Sequence, residues 1–156
     1  MKYSIDSSSL ITAWNRLYPP DVFPGIWSRL SSAIKDEGIV KITEAVHEEL
    51  KKQRDDLFDW VDEHSNSLVI PFDANIQEKV ISIQGDYPTL VDIENDRDFA
   101  DPFVIALAQA NGCKVVTEEL PMGTGAKRLK IPNVCEEMSI EYLNFLAMIR
   151  TESWKF

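Results

Sequence analysis

The sequence has 156 residues, of which 44% are hydrophobic and 27% are charged, as in a folded domain with its own core. Its formal net charge of −10 argues against a surface that holds nucleic acid phosphates, unless many acids gather at one metal site. No apolar run reaches the roughly 18 residues that span a bilayer, and residues 1–6 lack the apolar core of a signal peptide. Cys113 and Cys135 are then expected to stay reduced, in a cytoplasmic protein with no membrane partner.

The predicted elements alternate between strands and helices along the chain. Strands are predicted over 2–5, 39–42, 68–70, 113–117 and 133–135. Helices are predicted over 7–17, 23–37, 43–64, 73–84, 101–110 and 139–150, with Thr43, Asp73 and Ser139 as N-caps. The segment 85–98 looks irregular and acidic. This order predicts a single domain over 1–156, a three-layer α/β/α fold with a short central parallel sheet of about five strands.

Four acidic residues from distant segments are expected to meet at one edge of this sheet. In such a fold the strand C-termini and the helix N-termini share an edge, and ligands bind there. Asp6 follows the first strand and Glu119 follows the fourth, while Asp101 begins a helix that it is also expected to cap. Glu49 lies roughly 9 Å along its helix, but helical side chains lean toward the N-terminus and bring it back to the rim.

Converging carboxylates repel one another, which indicates a bound cation. At about 4 Å and an effective dielectric constant of 20, each pair costs roughly 4 kcal/mol. Carboxylate oxygens without His or Cys suit a hard ion, Mg²⁺ or Mn²⁺. Such an ion favours hydrolysis of phosphodiester bonds.

The acids also lie in motifs that resemble those of PIN domains. The opening "YSIDSS" is similar to their first motif, in which an Asp ends the first strand. "TEAVHEEL", at 43–50, resembles the second motif, a helix with a Glu before a Leu. The stretch 101–119 resembles the third and fourth motifs, where an Asp opens an Ala-rich helix and a later strand ends in Val-Thr-x-acid. The motifs occur in the family's order over the whole chain.

The resemblance implies a metal-dependent ribonuclease that uses Mg²⁺ or Mn²⁺. It assigns Asp6, Glu49, Asp101 and Glu119 as catalytic residues, and the first, third and fourth of them as metal ligands. The last position is more often Asp in PIN domains, so Glu118 competes with Glu119, and Asp98 is a further candidate ligand one turn before the helix.

The resemblance also implies partners. Many PIN domains are toxins of VapBC-type toxin–antitoxin pairs, blocked by an antitoxin peptide, and many are dimeric. An RNA substrate, an antitoxin and a homodimer are therefore expected by resemblance. The stretches 17–23 and 86–98 are not typical of the compact toxins and suggest a less-studied branch.

Candidate substrate-binding residues follow from position. Lys127, Arg128 and Lys130 form the densest basic cluster, in a segment that begins at the active edge and is either a contact for RNA phosphates or a mobile surface loop. Ser8 is a candidate for a hydrogen bond to phosphate or to a metal-bound water, and capping of the first helix is its simpler role.

Other side chains have simpler interpretations. Trp14, Tyr18, Phe23 and Trp27 are expected in the core, with base stacking or a partner helix as the alternative. His47 and His64 are both expected on the surface of the helix over 43–64.

The leading hypothesis is a ribonuclease, and the alternatives are a Mg²⁺-dependent phosphotransfer domain, of either of two types, and a protein-binding module. A magnesium-dependent phosphatase of the haloacid dehalogenase type needs a second Asp where Ser8 stands. A receiver domain needs an Asp at the end of a middle strand, where Pro71 and Phe72 stand. A binding module that keeps the fold but has weak catalysis is the other alternative, favoured by the acidic charge and by Glu119.

Overall fold

A parallel sheet lies at the centre of the computed structural model, which describes residues 1–95 and 97–156. Within these residues the sheet has five strands in the order β3-β2-β1-β4-β5. The strands are β1 (Tyr3–Ile5), β2 (Val40–Thr43), β3 (Val69–Ile70), β4 (Lys114–Val116) and β5 (Tyr142–Leu143). The chain passes outward from β1 through β2 to β3, then returns to the other side of β1, so the strand order reverses at the central strand.

The central strand places Asp6 at the carboxyl edge of the sheet. All three residues of β1 are buried, and Tyr3 lies opposite both Val40 and Lys114. The backbone N–H of Asp6 donates to the carbonyl of Val116 at 2.9 Å, after the last paired residue, Ile5. The carboxylate of Asp6 therefore lies at the carboxyl end of the most buried strand.

Helices cover both faces of the sheet. They are α1 (Ser7–Thr12), which continues into a π-helical turn (Ala13–Leu17), α2 (Pro24–Lys35), α3 (Glu44–Lys51), α4 (Asp56–Glu63), α5 (Ser65–Leu68), α6 (Ala74–Asp86), α7 (Asp101–Asn111), α8 (Ile131–Glu137) and α9 (Phe145–Thr151). The crossovers from β1 to β2 and from β3 to β4 run in opposite directions, and right-handed crossovers then place their helices on opposite faces. The predicted three-layer α/β/α fold is confirmed.

The helix predicted over 43–64 is wrong, because it is two helices. α3 ends at Lys51, and Arg54 adopts a left-handed conformation with φ 48°. Asp55 then begins α4 as its N-cap, and its carboxylate accepts the N–H of Phe58 at 3.0 Å. The apolar spacing continues through the break because α3 and α4 pack against each other.

The predicted fifth strand is also misplaced. Residues 133–135 belong to α8, whose first turn contains Pro132, a residue suited to helix starts. Ser139 has φ 56° and follows this helix instead of capping the last one. β5 comes next, and Asn144 caps α9 by accepting the N–H of Ala147 at 2.8 Å.

The most apolar helix, α7, packs across β1, β2 and β4 and joins the sheet to the site. Val104, Ile105 and Ala106 are fully buried in it. The hydroxyl of Ser4, in the central strand, donates to the carbonyl of Val104 at 2.9 Å. This contact holds the start of α7 beside the end of β1.

A second part of the core is aromatic. Trp27 is buried, its ring centroid is 4.6 Å from that of Trp14, and its N–H donates to the carbonyl of Tyr18 at 2.7 Å. Core packing is thus confirmed for Trp27, whereas Phe23 is exposed.

The prediction that His64 lies on the surface is wrong. Its Nδ1 lies 2.7 Å from the carbonyl of Trp60 and its Nε2 lies 2.8 Å from the hydroxyl of Ser31, because α4 turns it inward at its C-terminus. Cys113 and Cys135 are buried thiols. None of the helices in the described ranges has the length and apolarity to cross a membrane.

Candidate active site

The four predicted acids come together at the carboxyl edge of the sheet. Asp6 follows β1 and Glu119 follows β4, on either side of the point where the strand order reverses. Asp101 arrives from α7 and Glu49 from α3. Burial raises the pKa of Asp101 well above its usual value, and the negative charges of Asp6 and Glu119 raise it further. The four segments therefore place their carboxylates within electrostatic reach of one another.

Asp6 is held by two hydroxyl groups. Its Oδ2 accepts hydrogen bonds from Ser8 Oγ and from Thr117 Oγ1, the latter at 3.0 Å. Ser8 Oγ also accepts the N–H of Glu118 at 3.2 Å. The hydroxyl of Ser8, a candidate for contact with phosphate, is therefore already hydrogen-bonded to protein groups. Burial raises the pKa of Asp6 to about 6; the Ser8 hydrogen bond opposes this shift and the charge of Glu119 adds to it. The side chain is thus fixed in place, and its pKa lies about two units above the usual value for an aspartate.

Glu49 is positioned by Ser7. The Ser7 hydroxyl lies 2.9 Å from Glu49 Oε2, to which it donates, and 3.4 Å from Asp6 Oδ1. Partial burial raises the pKa of Glu49; the Ser7 hydrogen bond opposes the shift and the charge of Asp98 adds to it. Sequence reasoning missed the roles of Ser7 and Thr117, although both lie inside the quoted motifs.

Asp101 is the first residue of α7, and its side chain does not cap that helix. The N-cap position is Ala100, which makes no side-chain bond. The Asp101 side chain is only 5% exposed, and its Oδ2 has no hydrogen-bond partner among the described residues. A buried, unpartnered carboxylate oxygen costs at least about 1–3 kcal/mol, and a cation ligand would offset that cost.

Asp98 joins this part of the site. One carboxylate oxygen each from Asp98, Asp101 and Glu119 lie within 4.8 Å of one another. Asp98 has φ 62°, a left-handed conformation that Asp adopts more readily than most residues, and its carbonyl accepts the N–H of Asp101 at 3.3 Å. A strained turn therefore directs the extra acid toward the start of α7.

The adjacent glutamates 118 and 119 point to different parts of the molecule. Glu119 Oε1 lies 2.7 Å from Lys130 Nζ and Oε2 accepts the N–H of Ile131 at 3.0 Å, so this carboxylate lies in the acidic cluster. Glu118 Oε1 instead accepts the N–H of Phe145, at the start of α9, at 2.8 Å. Its carboxylate is therefore engaged with the last helix.

Two of the three predicted basic contacts pair with acids of the site. Lys130 Nζ contacts Glu119 and also lies 3.4 Å from Asp98 Oδ2. Arg128 bridges Asp98, at 2.5 Å, and Asp92, at 2.8 Å. Lys127, in contrast, is exposed on the surface. The segment after Glu119 thus partly neutralises the acidic cluster.

The residues fit a divalent metal ion. The donors are carboxylate oxygens without nearby His or Cys ligands in the described cluster, which is the set that Mg²⁺ and Mn²⁺ prefer. The unpartnered Oδ2 of Asp101 offers a buried oxygen that the protein itself does not satisfy. A divalent cation bound at this cluster would therefore have carboxylate ligands, one of which has an oxygen without a partner among the described residues.

A parallel sheet with acidic side chains at its switch point is the arrangement expected of a PIN-like fold. The crystal structure of VapBC2 from Rickettsia felis, bound to a DNA fragment from their promoter, is similar to this chain. The match covers 93% of this chain and 99% of that chain, with a TM-score of 0.52 and 14% sequence identity. This similarity confirms the expected fold. The chain belongs to the family described as "Domain of unknown function (DUF4411)", whose model matches residues 3–156.

Two other solved structures are also similar. A toxin–antitoxin complex from Klebsiella pneumoniae matches 81% of this chain and 93% of that chain at 15% identity and a TM-score of 0.45. PAE2754 from Pyrobaculum aerophilum matches 89% and 96%, at 14% identity and a TM-score of 0.44. No curated protein matches the sequence.

Proposed function

We propose that this chain is a Mg²⁺- or Mn²⁺-dependent endoribonuclease and the toxin of a toxin–antitoxin pair. The observation that carries the proposal is the buried carboxylate of Asp101, whose Oδ2 is unpartnered among the described residues and which lies beside Asp98 and Glu119. The mutual repulsion of these acids is expensive away from water, and a bound divalent cation would offset the part that Lys130 and Arg128 leave uncompensated.

The proposed ligands are Asp6, Asp101 and Glu119, with Asp98 as an additional acid. These residues would hold a divalent ion, which would polarise the phosphate and lower the pKa of an attacking water. Glu118 is left out of the ligand set, since its Oε1 already accepts the N–H of Phe145.

The chain's own side chains orient these groups. Thr117 and Ser8 fix the rotamer of Asp6 through two donated hydrogen bonds. Ser7 holds Glu49 at the edge of the cluster, where its raised pKa suits it to accept a proton from the attacking water. Lys130 and Arg128 provide positive charge next to the acids. We propose that they contact the RNA phosphate that enters the site.

The proposed partners follow from the structural relatives. VapBC2 is, by its description, a pair of proteins on promoter DNA, and it shares the fold of this chain. We propose an antitoxin protein as the partner here and a homodimer as the assembled form, with residues 1–156 acting as one domain. The chain can be co-expressed with the product of the adjacent gene. Size-exclusion chromatography with light scattering then shows whether a complex forms and whether the chain is a dimer.

The deciding experiment compares cleavage of mixed RNA in Mn²⁺ by the wild type, Asp6→Asn and Asp101→Asn. Each substitution removes a proposed ligand with little change in volume, and we expect a loss of at least about 100-fold, as for loss of other groups that hold charge in a transition state. Glu78→Gln, an exposed acid on α6, is the matched control. Equal cleavage by the wild type and all the variants would show that Asp6 and Asp101 do not belong to the catalytic site.

A catalytically weak binding module is the second candidate. The ion pairs of Lys130 and Arg128 favour it, because they already balance part of the acidic charge. This candidate predicts no heat of Mn²⁺ binding by calorimetry together with tight binding of a protein partner. A measured Mn²⁺ affinity that Asp101→Asn abolishes would exclude it.

A further inference from the structure

A groove with a volume of about 300 Å³ opens beside the acidic cluster. Two of its lining residues, Glu49 and Asp98, also belong to the candidate active site. The described lining also includes Glu44, Glu48, Lys52, Phe72, Phe99 and Phe103. A group bound in this groove would therefore lie next to the reacting phosphate.

Three aromatic rings form the apolar walls. Phe72 is 46% exposed and Phe99 is 41% exposed, although both are large apolar side chains. The ring centroids of Phe72 and Phe103 lie 4.8 Å apart. Single exposed apolar residues are ordinary, but a concave cluster of them beside polar groups is typical of a ligand site.

The charge of the groove selects among ligands. Four of its described lining residues are acids, and Lys52 is the single cation among them. The N–H of Phe72 donates to Glu44 Oε2 at 3.1 Å, which fixes one carboxylate at the rim. Such a rim repels phosphate, but its oxygens accept hydrogen bonds from amino groups. The groove therefore suits a flat neutral group that carries an amino substituent.

We propose that the groove binds a nucleobase with an exocyclic amino group, namely adenine, cytosine or guanine. The base belongs to the RNA nucleotide next to the scissile phosphate, so this inference rests on the proposed function. Phe72 and Phe99 supply stacking surfaces, and the carboxylates of Glu44 and Glu48 receive the amino group. Aromatic stacking contributes about 1–3 kcal/mol per base, which corresponds to roughly 5- to 150-fold in affinity.

The experiment uses single-stranded RNA with 2-aminopurine placed at successive positions and the Asp101→Asn chain, which is not expected to cleave it, in Mn²⁺. We expect fluorescence quenching at one position, where the base stacks. Phe72→Leu keeps an apolar side chain and should weaken binding at least fivefold and remove the quenching, while Phe72→Trp should retain both. Phe156→Leu, an exposed aromatic residue outside the groove lining, is the matched control and should change neither.

A uridine arm tests the amino group. Replacing the quenched base by uracil, which has no exocyclic amino group, should weaken binding severalfold in the parent but not in a Glu44→Gln, Glu48→Gln double variant. If the wild type cleaves RNA but no position is quenched, or if Phe72→Leu binds like its parent, the inference is wrong and the proposed function stands. If the wild type neither cleaves nor binds RNA, both are wrong.

Discussion

The ammonium group of Lys130 lies 2.7 Å from Oε1 of Glu119 and 3.4 Å from Oδ2 of Asp98. A lysine of the same chain thus contacts two of the three clustered carboxylates of the candidate metal site. Burial lowers the pKa of Lys130, but the hydrogen bond and charge of Glu119 outweigh burial and raise it, so this lysine stays charged. A divalent ion has to share these carboxylates with Lys130 or displace it.

Replacement of Lys130 by Met is expected to raise the affinity for Mn²⁺, by about tenfold at low ionic strength. The substitution keeps the apolar stem and removes one positive charge beside the carboxylates, which are less screened there than at an exposed surface. Isothermal titration calorimetry measures the affinity directly. Lys127→Met, in the same segment but exposed, is the control and should bind Mn²⁺ like the wild type. Weaker binding by Lys130→Met would mean that Lys130 organises the site instead of competing for it.

The metal-free protein should become more stable when Asp6 is replaced by Asn. Burial raises the pKa of Asp6 from 3.8 to about 6, so between these pH values the unfolded chain releases a proton that the folded chain keeps. The folded wild type therefore loses stability as the pH rises through this window. At pH 7 we expect Asp6→Asn to gain up to about 3 kcal/mol in free energy of unfolding, at about 1.4 kcal/mol per unit of pKa.

Urea denaturation at pH 4 and at pH 7 measures this effect. The difference between the two proteins should be present at pH 7 and nearly absent at pH 4. Addition of Mn²⁺ should stabilise the wild type at pH 7 and leave Asp6→Asn unchanged. A stability difference that does not depend on pH would contradict the assignment of the effect to the Asp6 charge.

Thr117→Val should impair the site without altering any proposed ligand. The hydroxyl of Thr117 donates to Asp6 and accepts the N–H of Glu119 at 3.1 Å, and valine has the same shape without the hydroxyl. Losing the bond to Asp6 should raise the pKa of Asp6 further, and losing both contacts should reduce cleavage about tenfold.

The pKa of Asp6 can be followed by carboxyl NMR in the metal-free chain. Thr151→Val, which removes an exposed hydroxyl on α9, should leave both the pKa and the cleavage rate unchanged. A Thr117→Val chain with normal cleavage and a normal Asp6 pKa would remove Thr117 from the site.

The neighbouring glutamates should give opposite results. Glu119→Ala removes a proposed ligand and should lower Mn²⁺ affinity and cleavage at least about 100-fold. Glu118→Ala removes the acceptor of the Phe145 N–H at the start of α9 and should cost about 1–2 kcal/mol of stability with cleavage retained. Thermal unfolding and RNA cleavage of both variants separate the two roles. Loss of cleavage in Glu118→Ala at normal stability would assign the ligand role to Glu118.

The convergence of the acids was predictable from the sequence because it depends on topology alone. Asp6 and Glu119 follow strands, and Asp101 begins a helix, so a parallel sheet brings them to one edge wherever the intervening chain goes. The ion pairs of Lys130 could not be predicted, because they depend on the path of an irregular segment. β5 was missed since its two residues carry no periodic pattern, and the break after Lys51 was hidden by apolar spacing that continues into α4.

The order of the site residues along the chain has a consequence during protein synthesis. Asp6 is made first and Glu119 more than a hundred residues later, yet the two flank adjacent strands of one sheet. A domain generally folds as a unit, so the acidic site stays incomplete until β4 has left the ribosome and can pair with β1. If the chain is the ribonuclease proposed above, a partially synthesised copy is inert toward the messenger RNA that encodes it.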